Sequence, residues 1–469
     1  MPNDWSTLRE LLLPAVTAAS RGRRGRALEV ALREAIRAGQ LHPGTRLPAT
    51  RDLASQLDVA RGTVTAAYDQ LVAEGYLVAR RGSGTSVATT ALGGEPRRVE
   101  RRTTPQPWQY DLRPGLPALA AFPRTEWASC SRAALAELPD AELGYPDPAG
   151  LADLRTELAE YLGRVRAVLA DPADILVTHG LAEACTLIAD VLRNRGHRRI
   201  AVEDPGHPGQ AELFTRHGLQ PIPVRVDQGG LRIDDLAASG CRAVLVTPAH
   251  QFPLGVPLHA RRRRELVDWA RRCDGLVLED DYDAEHRYDR PALGAVQALD
   301  PLRVAYLGSV SKTLAPALRL GWAVIPAGWR ADVVEAKRLH DLGCSPLPQG
   351  AFARMLRASG YDRHLRRTRA NNRRRRDALL EALTEFLPDW QITGIAAGLH
   401  VVVRLPEGVD DRALSARLAD NGVHAPSLAS YARGNRSGPF PGLVLGYASM
   451  TPDRLHAAVQ RIAEVAATG

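Results

Sequence analysis

Two hydrophobic periods divide the chain. In its first part apolar residues recur at helical spacing, as in Ala27-Leu-Glu-Val-Ala-Leu-Arg-Glu-Ala-Ile-Arg-Ala-Gly39, which closes on a glycine. Thr50 is placed to cap a short helix over Arg51–Leu57, and a second helix is predicted over Arg61–Glu74. Asp58-Val-Ala60 between them supplies the tight turn of a helix-turn-helix. After Gly75, the short runs Tyr76–Arg80 and Thr85–Ala88 flank Arg81-Gly-Ser-Gly84 and predict a β-hairpin wing. Residues 1–20 could add a short helix or cap, but carry no decisive pattern.

From residue 111 to residue 469 the period changes. Short apolar runs (Ile175–Thr178, Ile200–Glu203, Ala243–Thr247, Leu276–Glu279 and Val304–Leu307) alternate with stretches long enough for amphipathic helices. Strands buried on both faces and separated by helices predict an α/β domain with a mostly parallel sheet, whose ligands bind at the carboxyl ends of the strands. Between the two parts, residues 89–110 are rich in Thr, Pro, Gly and Arg with almost no apolar periodicity, the composition of a linker. The expected organisation is therefore a winged helix-turn-helix over 1–88, a linker over 89–110 and a large domain over 111–469.

Composition narrows the class. At 469 residues, 45% hydrophobic and 24% charged, the chain has the content of a globular protein with two or three domains. No apolar run approaches the roughly 18 residues of a membrane span, so the protein is read as cytoplasmic and without a membrane partner. The five cysteines (Cys130, Cys185, Cys241, Cys273, Cys344) include no Cys-x-x-Cys pair and are read as small core residues rather than a zinc site or a disulfide framework. A net charge of +8 fits a polyanionic partner. Its distribution is more telling: eleven arginines stand against six acidic residues between Arg21 and Val87. The runs Arg261–Arg264 and Arg373–Arg376 lie in helical contexts and are read as solvated helix faces.

Of 61 basic side chains only two are lysines, Lys312 and Lys337. A primary amine can lose its proton, attack an aldehyde and form a Schiff base, which a guanidinium cannot. Lys337, in Val-Val-Glu-Ala-Lys-Arg-Leu-His, is read as an ordinary surface lysine. Lys312 sits in Gly308-Ser-Val-Ser-Lys-Thr-Leu-Ala-Pro-Ala-Leu-Arg-Leu-Gly321, among hydroxyls and an arginine suited to a phosphate.

The segment Leu47-Pro-Ala-Thr-Arg-Asp-Leu-Ala-Ser-Gln-Leu-Asp-Val-Ala-Arg-Gly-Thr-Val-Thr resembles the GntR-type winged helix-turn-helix. That resemblance implies operator DNA as a partner, with Arg51, Arg61 and Thr63 in contacting positions and Arg81 and Gly82 at the wing tip near the minor groove. Taken alone, Arg51 and Arg61 are equally well read as salt-bridge partners of Asp52 and Asp58.

Residues 111–469 resemble the fold-type I aminotransferases that use pyridoxal 5'-phosphate, with a smaller C-terminal α+β subdomain. The resemblance implies that Lys312 forms the Schiff base, while Ser309, Ser311 and Arg319 surround the phosphate. Backbone N–H groups of Gly180, Leu181 and Ala182 would add to the phosphate site at a helix N-terminus. Asp280, in Leu278-Glu-Asp-Asp-Tyr-Asp283, would face the pyridine nitrogen, and Tyr282 would donate to the ring hydroxyl oxygen. Acid clusters at strand ends also hold magnesium, but beside Lys312 and Arg319 no metal is expected. Tyr145 resembles the tyrosine that reaches the phosphate of a neighbouring subunit, which implies a domain-swapped homodimer.

The whole chain resembles the MocR subfamily of bacterial transcription regulators. Three departures stand out. His179-Gly-Leu-Ala-Glu183 replaces the usual Ser-Gly-x-Gln-Gln, His207 stands where an aromatic ring usually stacks on the cofactor, and Val444 stands where a carboxylate-binding arginine is usual. If Arg433 or Arg436 does not take over from Val444, an amino-acid ligand is disfavoured and pyridoxal phosphate itself becomes the effector. The reading is a DNA-binding sensor of vitamin B6 status, or of an amine or amino acid that reacts with the cofactor. The alternative is an active aminotransferase with an attached DNA reader.

Overall fold

The computed structural model describes residues 5–80, 83–89, 108–289, 293–433 and 438–468. The chain divides into two compact units, Met1–Pro105 and Gln106–Gly469. The linker expected over 89–110 falls largely outside the described residues, as does the wing tip at Arg81 and Gly82.

The first unit contains α1 (Trp5–Ala18), α2 (Arg24–Arg37), α3 (Thr50–Leu57) and α4 (Arg61–Ala73), then β1 (Leu77–Arg80) and β2 (Gly84–Val87). Leu12, Leu28, Leu32, Ile36, Leu53, Val64 and Leu71 form its core, each buried from solvent. One expectation is sharpened and one is corrected. The opening residues form a full helix, since Leu8, Leu12 and Val16 at i, i+4, i+8 bury one stripe despite Pro14. Ala49, rather than Thr50, occupies the N-cap of α3, with no side-chain cap bond. Asp58, in the left-handed region at φ 50°, turns the chain between α3 and α4. β1 and β2 pair antiparallel from Leu77↔Val87 to Arg80↔Gly84. Arg33 on α2 forks onto the Glu74 carboxylate at the end of α4 (2.9 and 2.7 Å), tying the two helices together.

The second unit opens with β3 (Tyr110–Asp111), α5 (Arg124–Glu137) and α6 (Ala152–Arg166). The alternating core follows: β4 (Ile175–Thr178), α7 (Leu181–Asn194), β5 (Arg199–Asp204), α8 (Pro208–Arg216), β6 (Gln220–Asp227), β7 (Gly230–Leu231) and α9 (Ile233–Ala238). It continues through β8 (Ala243–Val246), α10 (Ala260–Cys273), β9 (Leu276–Asp280), β10 (Val304–Ser309), β11 (Gly321–Val324) and α11 (Ala327–Asp341). Then come α12 (Pro346–Arg357), α13 (Gly360–Phe386), β12 (Gln391–Thr393), β13 (His400–Arg404), α14 (Asp411–Asp420), β14 (Val423–His424), β15 (Gly442–Gly446) and α15 (Pro452–Ala467).

Eight strands form the main sheet in the order β4-β11-β10-β9-β8-β5-β6-β7. β10, β9, β8, β5 and β6 are mutually parallel, whereas β11 runs antiparallel to both β10 and β4. Apolar clusters lie on both faces, one including Leu187, Ile188 and Leu192 of α7, the other Leu266, Val267 and Trp269 of α10. A separate antiparallel sheet, β12-β13-β15, packs with α13, α14 and α15 around its own core, so the smaller α+β subdomain is present. The architecture is α/β, as the strand pattern implied.

β6 is a strand that propensity disfavours, because Pro221 and Pro223 lie inside it. Gln220 donates its N–H to Arg198, so the alternate residues Pro221 and Pro223 turn their missing donors away from β5, along the side where β7 pairs only with Val226 and Asp227.

Candidate functional site

A cavity of about 980 Å³ opens at the carboxyl ends of the central strands. Ten residues singled out from the sequence line it: Gly180, Leu181, Ala182, His207, Asp280, Tyr282, Ser309, Ser311, Lys312 and Arg319. Tyr145 does not, and is 88% exposed.

β9 and β10 run parallel with Asp280 opposite Leu307, which brings the carboxylate and the Ser309–Lys312 loop to one sheet edge. Lys312 Nζ donates to the Gly115 carbonyl (2.7 Å), and burial pushes its pKa below the ordinary lysine value against the pull of Asp280 and Asp283. Gly115 has φ +79°, and a Cβ there would stand 2.8 Å from Lys312 Nζ, so only glycine leaves the amine room.

Asp280 is buried at the end of β9, and its Oδ2 accepts from Gln210 Nε2 on α8 (2.8 Å). Desolvation pushes its pKa up to about 8. Tyr282 OH lies 3.1 Å from His250 Nδ1, which is 2.8 Å from the Asp283 carboxylate. Burial drives the phenol well above its usual range, keeping it a neutral donor. Asp281 turns away from the cavity to the buried guanidinium of Arg166 (2.6 Å) and to Tyr306 OH (2.5 Å). Glu279 accepts from the N–H groups of Val296 and Gln297 (2.9 Å each). Of the acidic run, Asp280 is therefore the carboxylate left facing the cavity.

An anion cradle lies at the start of α7. Its first N–H groups have no partner within the helix, and the cap residue Gly180 has φ +104°. A Cβ on Gly180 would come 3.7–4.0 Å from the Arg319 guanidinium, and one on Gly321 would collide with Gly180 at 2.7 Å. These two glycines let β11 and Arg319 close onto the turn. Ser309 Oγ lies 3.4 Å from Ser311 N in the same wall. A buried amine of lowered pKa, a carboxylate for a ring nitrogen and a helix-terminal anion cradle with arginine and serines fit the donor set of pyridoxal phosphate. His207 caps α8 by accepting from Gly209 N (3.1 Å), with its ring 5.8 Å from Phe252 and its pKa lowered by burial.

The second lysine is not on the surface. Lys337 is fully buried, and its Nζ donates to both Glu183 oxygens (2.9 Å each), Asp341 Oδ2 (2.6 Å) and Cys344 Sγ (3.2 Å). Burial alone would lower its pKa, but hydrogen bonds to Asp341 and Glu183 outweigh that and raise it. Glu183, one of the departures noted above, also accepts from His179 N (2.7 Å). The side chains of His179, Glu183, Asp341 and Cys344 have metal-ligand spacing, within 4.8 Å of one another, but the ammonium occupies the cation position among them. Cys185, Cys241 and Cys344 are buried, whereas Cys130 and Cys273 are half-buried and pack against the edges of two apolar cores. The arginine runs are only partly solvated: Arg262 forks onto Asp227 (2.5 and 2.8 Å), and Arg263 donates to the Gly294 carbonyl (2.7 Å).

At the opposite side of the cavity Val444 lies in β15, buried with Leu254, Val402 and Leu428 and away from the lining. Arg433 does line the cavity, while Arg436 falls outside the described residues. Sequence reasoning also missed Gly115, Gln210 and His250, whose side chains or backbone meet the site only through long-range packing.

In the first unit, Arg51 and Arg61 are exposed on the first turns of α3 and α4, and Thr63, in the same turn as Arg61, is half-buried. Among the described residues neither arginine pairs with Asp52 or Asp58, so the salt-bridge reading finds no support.

These two units define a DNA-reading module and an aminotransferase fold in one chain. The bacterial regulatory proteins, gntR family, match residues 25–87, and aminotransferase class I and II matches residues 122–462. The chain belongs to the GntR-type regulators that carry an aminotransferase class I and II domain. It is 32% identical to the HTH-type pyridoxine biosynthesis transcriptional regulator PdxR of Corynebacterium glutamicum, over 93% of this chain and 95% of that one. It is also 32% identical to the probable rhizopine catabolism regulatory protein MocR of Rhizobium meliloti, over 92% and 91%. The chain superposes on the Pyrococcus horikoshii kynurenine aminotransferase, solved in complex with PMP, with TM-score 0.70 and 26% identity, covering 80% of this chain and 97% of that one. Among the described residues no helix is long and apolar enough to cross a membrane.

Proposed function

We propose that the protein is a transcription regulator that binds operator DNA through α3, α4 and the wing, and whose large unit binds pyridoxal phosphate and alters operator affinity when the cavity is filled. The observation that carries this reading is the convergence of Lys312, Asp280, Tyr282 and the α7 cradle on one cavity in a chain that also holds a GntR-type reader. Pyridoxal phosphate supplies an aldehyde for the Lys312 amine and a ring that withdraws electrons when its nitrogen is protonated. Burial holds the amine closer to its reactive neutral form. Asp280 would exchange its Gln210 amide for the ring nitrogen, Tyr282 would donate to the ring oxygen, and Arg319, Ser309, Ser311 and the first turn of α7 would hold the phosphate. His207 would lie against the ring face.

The relationship to the pyridoxine biosynthesis regulator favours vitamin B6 supply as the controlled process. A homodimer follows from the same reading, with Tyr145, 88% exposed on one chain, reaching the phosphate of the partner. Regulation requires unequal ligand affinity in two conformations, with coupling of about 1–3 kcal/mol.

The test uses operator duplexes selected by the protein from a random pool. Pyridoxal phosphate should change wild-type affinity about 5–150-fold, while Lys312→Ala should bind DNA normally and show no visible cofactor absorbance and no response. Unchanged wild-type affinity would exclude the sensor. Sustained conversion of an amino acid and a 2-oxo acid would instead favour an active aminotransferase.

A further inference from the structure

We propose that His250 is a positioning residue: paired with Asp283 behind the cavity wall, it turns the Tyr282 hydroxyl hydrogen into the cavity, toward the cofactor's ring oxygen. This rests on the reading of Lys312 and its cavity as a pyridoxal phosphate site.

Tyr282 lines the cavity, whereas His250 and Asp283 stand behind it and are buried. His250 Nδ1 lies 2.8 Å from Asp283 Oδ2 and 3.1 Å from the Tyr282 hydroxyl oxygen. One nitrogen thus faces two oxygens, and it has either one hydrogen or one lone pair to offer them. Imidazole is a stronger base than carboxylate, so the hydrogen shared with Asp283 resides on Nδ1. No lone pair is left there for Tyr282, whose oxygen accepts from the same N–H. With Asp283 Oδ2 taken by the imidazole, the phenol's own hydrogen is turned to the cavity that Tyr282 lines.

The fold makes a fitted place for this pair. His250 follows β8, Tyr282 and Asp283 follow β9, and Gly398 covers them from just before β13. Gly398 has φ +75°, and a Cβ there would collide with the His250 ring and stand 2.6 Å from Asp283 Oδ2. Its turn is held from three sides. Gly398 N donates to the His286 carbonyl (2.8 Å), and its carbonyl accepts from Tyr288 OH (2.9 Å) and Tyr447 OH (2.5 Å). The small subdomain thus shuts the imidazole and carboxylate away from solvent, where a hydrogen bond between them is strong.

The other titratable groups around the pair are engaged elsewhere. His400, its ring 5.3 Å from that of His250, turns Nε2 to the Pro253 carbonyl (2.9 Å), and His286 turns Nε2 to the Lys312 carbonyl (3.3 Å). Burial pushes both down to about 4, so both are neutral at pH 7. Asp280 accepts from Gln210, Glu203 accepts from Thr247, and Lys312 donates to Gly115. Burial pushes Glu203 and Glu285 upward. Burial, reinforced by Asp283 and Asp280, drives Tyr282 well above its usual range, so the hydrogen being positioned is present throughout the physiological interval.

The experiment loads the full chain with pyridoxal phosphate and follows its visible absorbance band against pH. A hydrogen bond to the ring oxygen stabilises negative charge there and lowers the pH at which the band titrates. Tyr282→Phe should therefore raise the midpoint by about one to two pH units. His250→Leu should raise it too and add nothing in the Tyr282→Phe background. His250→Asn, which keeps an N–H for the phenol oxygen, should restore part of the wild-type value. Asp283→Asn removes the anion that holds the hydrogen on Nδ1, so the phenol can donate there instead. The lost charge alone lowers the midpoint in any background, so the change caused by Asp283→Asn should be more positive in wild type than in Tyr282→Phe. An unmoved midpoint in Tyr282→Phe or His250→Leu, additive effects in the double variant, or equal changes by Asp283→Asn in both backgrounds would overturn the proposal and leave the cofactor reading in place. If His250→Leu does not fold, the Asp283→Asn comparison decides. A wild-type chain that takes up no pyridoxal phosphate would overturn the cofactor reading, and this one with it.

Discussion

Asp280 shows how one residue's environment couples stability to function. Without a cationic ring opposite, burial holds its carboxyl protonated up to about pH 8, against an ordinary value of 3.8. The unfolded chain releases that proton near pH 4, so in the interval the native state binds more protons than the unfolded state, and stability falls as pH rises. Asp280→Asn removes this contribution. The ligand-free variant should be more stable than wild type at pH 7 and equal to it below pH 4, as read from urea midpoints, and it should lose pyridoxal phosphate affinity. A variant equally or less stable at both pH values would show that Asp280 is hydrated or paired in the native state.

At the scale of elements, Lys337 fastens the end of α11 to the first turn of α7. Its ammonium holds Glu183 and Asp341 together, and Glu183 in turn holds His179 N just before the phosphate cradle. Lys337→Met should leave the buried Glu183 carboxylate without its ammonium partner, at a cost of about 3–5 kcal/mol. Restoring a neutral amide, as in Lys337→Met with Glu183→Gln, should recover most of that loss in chemical denaturation. The double variant should also bind pyridoxal phosphate more tightly than the single one, because the cradle's backbone regains its position. Additive effects of the two substitutions would rule out the coupling.

For the whole molecule, the distribution of charge bears on how DNA is bound. The reader carries an excess of arginine over acid, and its exposed Arg51 and Arg61 head α3 and α4. Operator binding should weaken linearly in log–log form with salt, and Arg61→Ala should lower affinity. A base-reading role for Arg61 predicts a loss of about 1–3 kcal/mol confined to one base pair of the site; a phosphate role predicts a uniform loss and a salt slope shallower by about one. Titrations across a set of single-base operator variants separate the two.

Much of this was legible in the sequence because it is written in local signals. The alternating strand runs gave β4, β5, β8, β9 and β10, and the motifs around Lys312 and Asp280 named the residues that share the cavity. Local pattern failed where tertiary context overrides it. Pro14 obscured the full extent of α1, whose apolar stripe is stabilised by packing in the first unit. Pro221 and Pro223 concealed β6, which tolerates them because their missing donors face away from β5.

The two lysines mark the same boundary. Sequence chemistry was enough to single out Lys312, since a lone amine among hydroxyls and an arginine has few other uses. It misplaced Lys337, because burial depends on partners distant in the chain: Glu183 lies on another helix and only the fold brings its carboxylate to the ammonium. Arg433 belongs to that second kind. Only the packing of its loop on β5, with Val444 turned into the core, places its guanidinium on the cavity wall.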